Sequence, residues 1–248
     1  MRIAIVVYDG VLAAECEAFS SVLGAMDDAE VVVVGTRRGT FAGPGGRQIA
    51  DVGFDDLDHV DVAVVPGGIG CERAADDAAL RRFLVRMERS ARYVAASSTG
   101  TVVLASAGLL HGEPAATHWL AGDLLRRYGS DADARRMVMS GNVITCEGSI
   151  SAVEAAFEIV ERLHGPIAVE HIRATLLDRG EPHLRAVVWW RRPIGWMRSA
   201  LGLRDVDVAE RRAEPEAAPP VTPLSVMVEL VDNDDLARRL KRSGRRRR

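Results

Sequence analysis

Tyr93-Val94-Ala95-Ala96-Ser97-Ser98-Thr99-Gly100-Thr101-Val102-Val103-Leu104 decides how this chain is read. It starts as a short apolar run, passes through small polar residues and ends in an apolar stretch at helical spacing. A strand–turn–helix of this kind lifts one side chain above a sheet. The first N–H groups of the helix lack intrahelical partners and turn toward that side chain. Ser98 is the lifted residue, and what its hydroxyl can do decides whether the chain is a catalyst.

Working outward, four further apolar runs share the character of Val94–Ala96: Ile3–Val7, Val31–Val34, Val62–Val65 and Val143–Cys146. They are short, β-branched and nearly continuous, as strands covered on both faces are. Helical spacing recurs at Ala14–Met26, Asp77–Arg89, Thr99–Ala107, Trp119–Tyr128, Ser151–Leu163 and Ala168–Leu177. Gly43–Arg47 reads as a hairpin or loop. The alternation predicts an α/β fold with a doubly wound, mainly parallel sheet and helices on both faces.

Composition sets bounds on this reading. The 248 residues suffice for one large α/β domain or a domain with an appendage. Apolar residues make up 48% and charged ones 27%, the balance of a soluble globular protein. No apolar run approaches the roughly 20 residues that span a bilayer. Met1-Arg2-Ile3-Ala4-Ile5-Val6-Val7 enters a strand directly instead of a signal sequence, so the expected location is cytoplasmic. Cys16, Cys71 and Cys146 are odd in number and widely spaced, which fits neither a disulfide framework nor a zinc pattern. His59, His111, His164, His171 and His183 have no partners at metal-ligand spacing, so no metal site and no cofactor are expected.

The net charge of −3 hides an asymmetry. The last twelve residues carry eight positive charges and no negative ones, which leaves −11 for residues 1–236. A main domain of that sign makes no strong case for nucleic acid. The α/β pattern ends near Arg179-Gly180-Glu181-Pro182, so the domain is placed at 1–180, followed by an irregular C-terminal extension. Residues 181–203 are rich in tryptophan and arginine. They read either as an interfacial amphipathic helix or as aromatics packed on the domain or a partner copy. Residues 204–248 read as linker and basic tail, expected to be disordered, with a possible weak contact to anionic surfaces.

Ligands of doubly wound sheets bind at the carboxyl ends of the strands, and four segments converge there. They are Asp9-Gly10 with Glu15, Pro66-Gly67-Gly68-Ile69-Gly70, Ser98-Thr99-Gly100, and Thr117-His118-Trp119. The glycines would let backbone N–H groups approach a ligand and, with the N–H of Thr99, form an oxyanion hole. The plainer reading is that Pro-Gly-Gly only ends a strand. Glu15 is a site acid of shifted pKa or a helix-surface carboxylate. His118 is catalytic, a ligand contact, or a satisfied histidine beside Trp119. Cys16 reads as a buried helix cysteine or as the nearest alternative thiol, Cys71 as packing beside the glycine loop or a ligand contact, and Cys146 as core.

Val64-Val65-Pro66-Gly67-Gly68, the Ser-Thr-Gly elbow, Ala107-Gly108-Leu109-Leu110-His111-Gly112 and Ala116-Thr117-His118-Trp119 together resemble the ThiJ/PfpI superfamily. This is the class I glutamine-amidotransferase-like group, and the chain looks most like its isonitrile hydratase branch and the sensor domains of some AraC-type regulators. The resemblance covers roughly residues 1–177. It implies a flavodoxin-like fold, a small-molecule ligand and a homodimer. It also implies a nucleophile elbow, at which the family carries a cysteine contacted by an acidic residue from the first helix. By motif position Ser98 replaces that cysteine, Thr99 and Gly100 match, Glu15 takes the acidic position where isonitrile hydratases use aspartate, and His118 matches a histidine near the elbow.

The cysteine-to-serine change divides the functional expectation. An elbow at a helix N-terminus can generate a thiolate, whereas an alcohol needs a base within hydrogen-bond reach. One reading is a non-catalytic or weakly active small-molecule-binding protein with a regulatory or sensing role. The other is an isonitrile hydratase-like lyase or hydrolase. There Ser98 is the nucleophile, Glu15 the general acid/base, and Gly67, Gly68, Thr99 and Gly100 bind the ligand or oxyanion.

Overall fold

The computed structural model describes residues 1–178, so the expected extension (181–203) and tail (204–248) lie outside the described residues. In chain order the elements are β1 (Arg2–Val6), α1 (Ala13–Leu23), β2 (Glu30–Gly35), β3 (Gly39–Gly43), β4 (Gly46–Ala50), β5 (Val52–Gly53) and β6 (Val62–Val65). Then come α2 (Cys71–Asp76), α3 (Ala78–Glu88), β7 (Tyr93–Ser97), α4 (Gly100–Ser106), α5 (Gly122–Arg127), β8 (Met137–Ser140), β9 (Val143–Cys146), α6 (Ser149–His164) and α7 (Pro166–Asp178).

Seven strands form one sheet in the order β5-β2-β1-β6-β7-β9-β8, parallel except for β8. The register places Ile3 between Val31 and Val62, and Val94 between Ala63 and Val143. Every residue of β6 and β9 is buried, which is why these strands read as unbroken apolar runs. Helices α1, α6 and α7 pack with one another, and α2 to α5 form the second group, so the sheet is covered on both faces. Phe19 of α1 and Phe83 of α3 are the largest fully buried side chains of the two layers. This is the flavodoxin-like, doubly wound arrangement. No helix among the described residues is long and apolar enough to cross a membrane.

The chain leaves β1 toward β2 on one side and returns on the other side as β6, so the winding reverses between β1 and β6. The loops after those two strands therefore flank the crevice where such sheets bind ligands. Gly43–Arg47 is indeed the turn of a hairpin, β3–β4, with Gly45 at φ +84°. Three details depart from expectation. The antiparallel edge strand β8 escaped notice because only one of its four residues is buried, so it lacks the continuous apolar run of β6 and β9. The six-residue α2 precedes the expected helix, and Asp77 is the N-cap of α3, its carboxylate accepting from Ala79 N at 2.8 Å and Leu80 N at 3.3 Å. The expected helix at Trp119 opens as a 3₁₀ turn, Trp119–Ala121, before α5.

Candidate functional site

The elbow forms where β7 ends and α4 begins. Ser98 adopts φ +54°, a left-handed conformation costing a non-glycine residue roughly 1–2 kcal/mol, so the surroundings must hold it there. Its N–H donates to Cys146 O (2.7 Å) and its carbonyl accepts from the Thr117 hydroxyl (2.8 Å). Two glycines permit the close packing. A Cβ at Gly67 would stand 2.7 Å from Ser98 Cβ, and one at Gly100 would stand 2.1 Å from Val65 O.

Glu15 projects from the first turn of α1 and is only 1% exposed. Its Oε2 accepts from Gly67 N (2.7 Å) and from the Ser97 hydroxyl (2.5 Å), while Oε1 has one long contact, from the Ser149 hydroxyl at 3.4 Å. Burial raises its pKa above the ordinary carboxylate value, although the bonds from Ser97, Gly67 and Ser149 oppose that shift. The carboxylate is thus bonded to the residue before Ser98. The Ser98 hydroxyl has no hydrogen-bond partner among the described residues.

The glycine loop is also committed differently from expectation. The Gly67 N–H is taken by Glu15, and the Gly68 N–H donates to the Thr99 hydroxyl (2.8 Å), which donates back to Gly68 O (2.9 Å). Of the N–H groups expected to hold developing negative charge, that of Thr99 is without a partner among the described residues. His118 caps the 3₁₀ turn, its Nδ1 accepting from Leu120 N at 3.3 Å. An accepting Nδ1 puts the proton of the neutral ring on Nε2. Burial lowers the pKa of this histidine, so neutral imidazole prevails.

Leu12, Glu15, Pro44, Gly68, Ile69, Ser98, Thr99, His118, Gly148 and Ser149 line one cavity of about 220 Å³. Five of the seven residues singled out by sequence meet there: Glu15, Gly68, Ser98, Thr99 and His118. Gly67 and Gly100 stand behind the wall as packing positions. Cys16, Cys71 and Cys146 are buried free thiols. Burial pushes Cys16 up to about 12, Cys71 up to about 11 and Cys146 well above its ordinary value, so none is a ready nucleophile.

The DJ-1/PfpI family model matches residues 1–162, which contain every one of these site residues. The chain belongs to the DJ-1/PfpI family. It is 34% identical to an isonitrile hydratase of Pseudomonas putida over 52% of this chain and 60% of that protein. To a glutathione-independent glyoxalase of Caenorhabditis elegans it is 31% identical over 49% of this chain and 66% of the other. It is 29% identical to the HTH-type transcriptional regulator CdhR of Pseudomonas aeruginosa, over 54% of this chain and 40% of the regulator. The chain therefore spans less than two thirds of the length of these relatives. Among solved structures, a ThiJ/PfpI family protein from Pseudomonas syringae superposes with a TM-score of 0.67 at 25% identity, covering 73% of this chain and 75% of that one.

Sequence reading missed Ser97, Ser149, Gly148, Leu12 and Pro44. The Ser97-Ser98 pair was visible, but strand alternation gives only opposite directions for neighbours, not what lies across the sheet. Ser149 is brought in by α6, 134 residues from Glu15, a distance no local pattern bridges.

Proposed function

We propose that this DJ-1/PfpI chain binds a small uncharged molecule in the Glu15–Ser98 cavity without forming a covalent bond to it. It would be a non-catalytic or weakly active relative of isonitrile hydratase with a sensing or regulatory role. The observation that carries this reading is the isolation of the Ser98 hydroxyl. Oε2 of Glu15 is held by Gly67 and Ser97, Nδ1 of His118 is held by Leu120, and neither side chain is hydrogen-bonded to the alcohol as its base. A thiol at the same elbow would need no such base, because the helix terminus alone favours its anion.

The walls support the ligand class. Leu12, Pro44 and Ile69 make the cavity largely apolar, and about 220 Å³ limits the ligand to a small molecule. Likeness to an HTH-type regulator supports the sensing role, and the family likeness supports a homodimer.

A second reading, hydration of an isonitrile-like substrate with Ser98 as nucleophile and Glu15 as general acid/base, draws support from the left-handed Ser98 and the free Thr99 N–H. Turnover of a simple isonitrile and of methylglyoxal by wild type, Ser98→Ala and Ser98→Cys separates the two. The binding reading expects wild type and Ser98→Ala to be equally inactive and Ser98→Cys to gain activity. Turnover in wild type that Ser98→Ala abolishes would overturn it.

A further inference from the structure

The two oxygens of Glu15 are not equivalent. Oε2 lies at short range from two groups, the Ser97 hydroxyl at 2.5 Å and the Gly67 N–H at 2.7 Å. The Gly67 N–H can only donate, which fixes Oε2 as an acceptor. Oε1 has only Ser149, 3.4 Å away, a contact loose enough to reverse direction. Ser97 is fully buried, and its hydroxyl has no other hydrogen-bond partner among the described residues.

We propose that Ser97 is a positioning residue. With the Gly67 N–H it commits Oε2 of Glu15 to accepting, so that Oε1 is the oxygen that carries the carboxyl proton and presents it to the cavity. This rests on the binding reading above and names the ligand class more closely. The cavity then offers three donors: the Glu15 carboxyl, the unpartnered Ser98 hydroxyl and the Nε2–H of His118. The molecule they fit is uncharged, apolar at one end and a hydrogen-bond acceptor at the other.

Three of the titratable groups facing Glu15 do not titrate with it. Tyr8 from β1, Cys16 from α1 and Cys146 from β9 are all raised by burial, and so stay neutral where a carboxyl titrates. His118 lines the same cavity, and burial lowers its pKa toward the range in which Glu15 titrates. Ser149 is the contact from α6.

The test is a ¹³C NMR titration of the Glu15 carboxyl in the full chain, assigned by its loss in Glu15→Gln. If Ser97 donates to Oε2, it favours the anion, and Ser97→Ala moves the midpoint upward by about one pH unit. Ser97→Thr keeps it. A midpoint that stays put or moves down in Ser97→Ala overturns the proposal, because a downward shift means Ser97 had been accepting the carboxyl proton. Ser97→Cys, nearly isosteric and a weaker donor, gives the same upward direction if the alanine variant does not fold. No substrate enters this measurement. A shifted midpoint with Ser98-dependent turnover would refute the binding reading alone, and an unshifted midpoint without turnover would refute Ser97 alone.

Discussion

Ser98 is held in a conformation suited to a nucleophile while lacking the proton acceptor that an alcohol requires. On the binding reading proposed above, the elbow is a thiol site occupied by a hydroxyl. Ser98→Cys is expected to produce a thiol alkylated by iodoacetamide near neutral pH. Cys16, Cys71 and Cys146 should stay unmodified in the native chain, as peptide mass mapping would show. Equal alkylation of all four would mean that the elbow gives no activation. Ser98 and Glu15 were legible in the sequence because the strand–turn–helix pattern and the motif order point to them. The bond from Glu15 to Ser97 instead of Ser98 was not legible, since it depends on which way a carboxylate turns by a few ångströms in a buried space.

Elements are held by short, specific devices. Asp77 ends the short α2 and caps α3 through two N–H groups, so Asp77→Ala should cost about 1 kcal/mol in urea unfolding. A loss near zero would mean water replaces the cap without penalty. Gly100 lets the start of α4 settle onto the end of β6. Its Cβ would meet backbone, not a movable side chain, so Gly100→Ala should destabilise by more than about 2 kcal/mol, read in the same assay. Unchanged stability there would show that the elbow relaxes freely. Long apolar strands and amphipathic helices were readable from period alone. Strand β8 was not, because on the sheet edge it lacks the continuous β-branched, fully buried run that marks the equally short β6 and β9, and the six residues of α2 are too few to show a helical period.

At the scale of the molecule, the reversal of winding between β1 and β6 brings residues 15, 67, 97, 98, 118 and 149 together at one end of the sheet. The alternating pattern made that architecture legible, while the order of strands across the sheet came from the structure. One consequence reaches overall stability. Glu15 has its pKa raised on folding, so the native state keeps its proton longer than the unfolded chain does. Its contribution is fully favourable below the unfolded value near 4.3, and it declines as pH rises through the folded value. Glu15→Gln should therefore raise Tm relative to wild type at mildly alkaline pH and not at about pH 4, by about 2–4 °C for each kcal/mol relieved. A variant less stable than wild type across the range would contradict a raised carboxyl. The central claim, that the molecule keeps a reactive-site architecture around an unactivated alcohol, is tested most directly by intact mass after exposure to a fluorophosphonate serine probe. The expected spectrum shows the unmodified chain, identical for wild type and Ser98→Ala. A stoichiometric adduct on wild type that disappears in Ser98→Ala would contradict it.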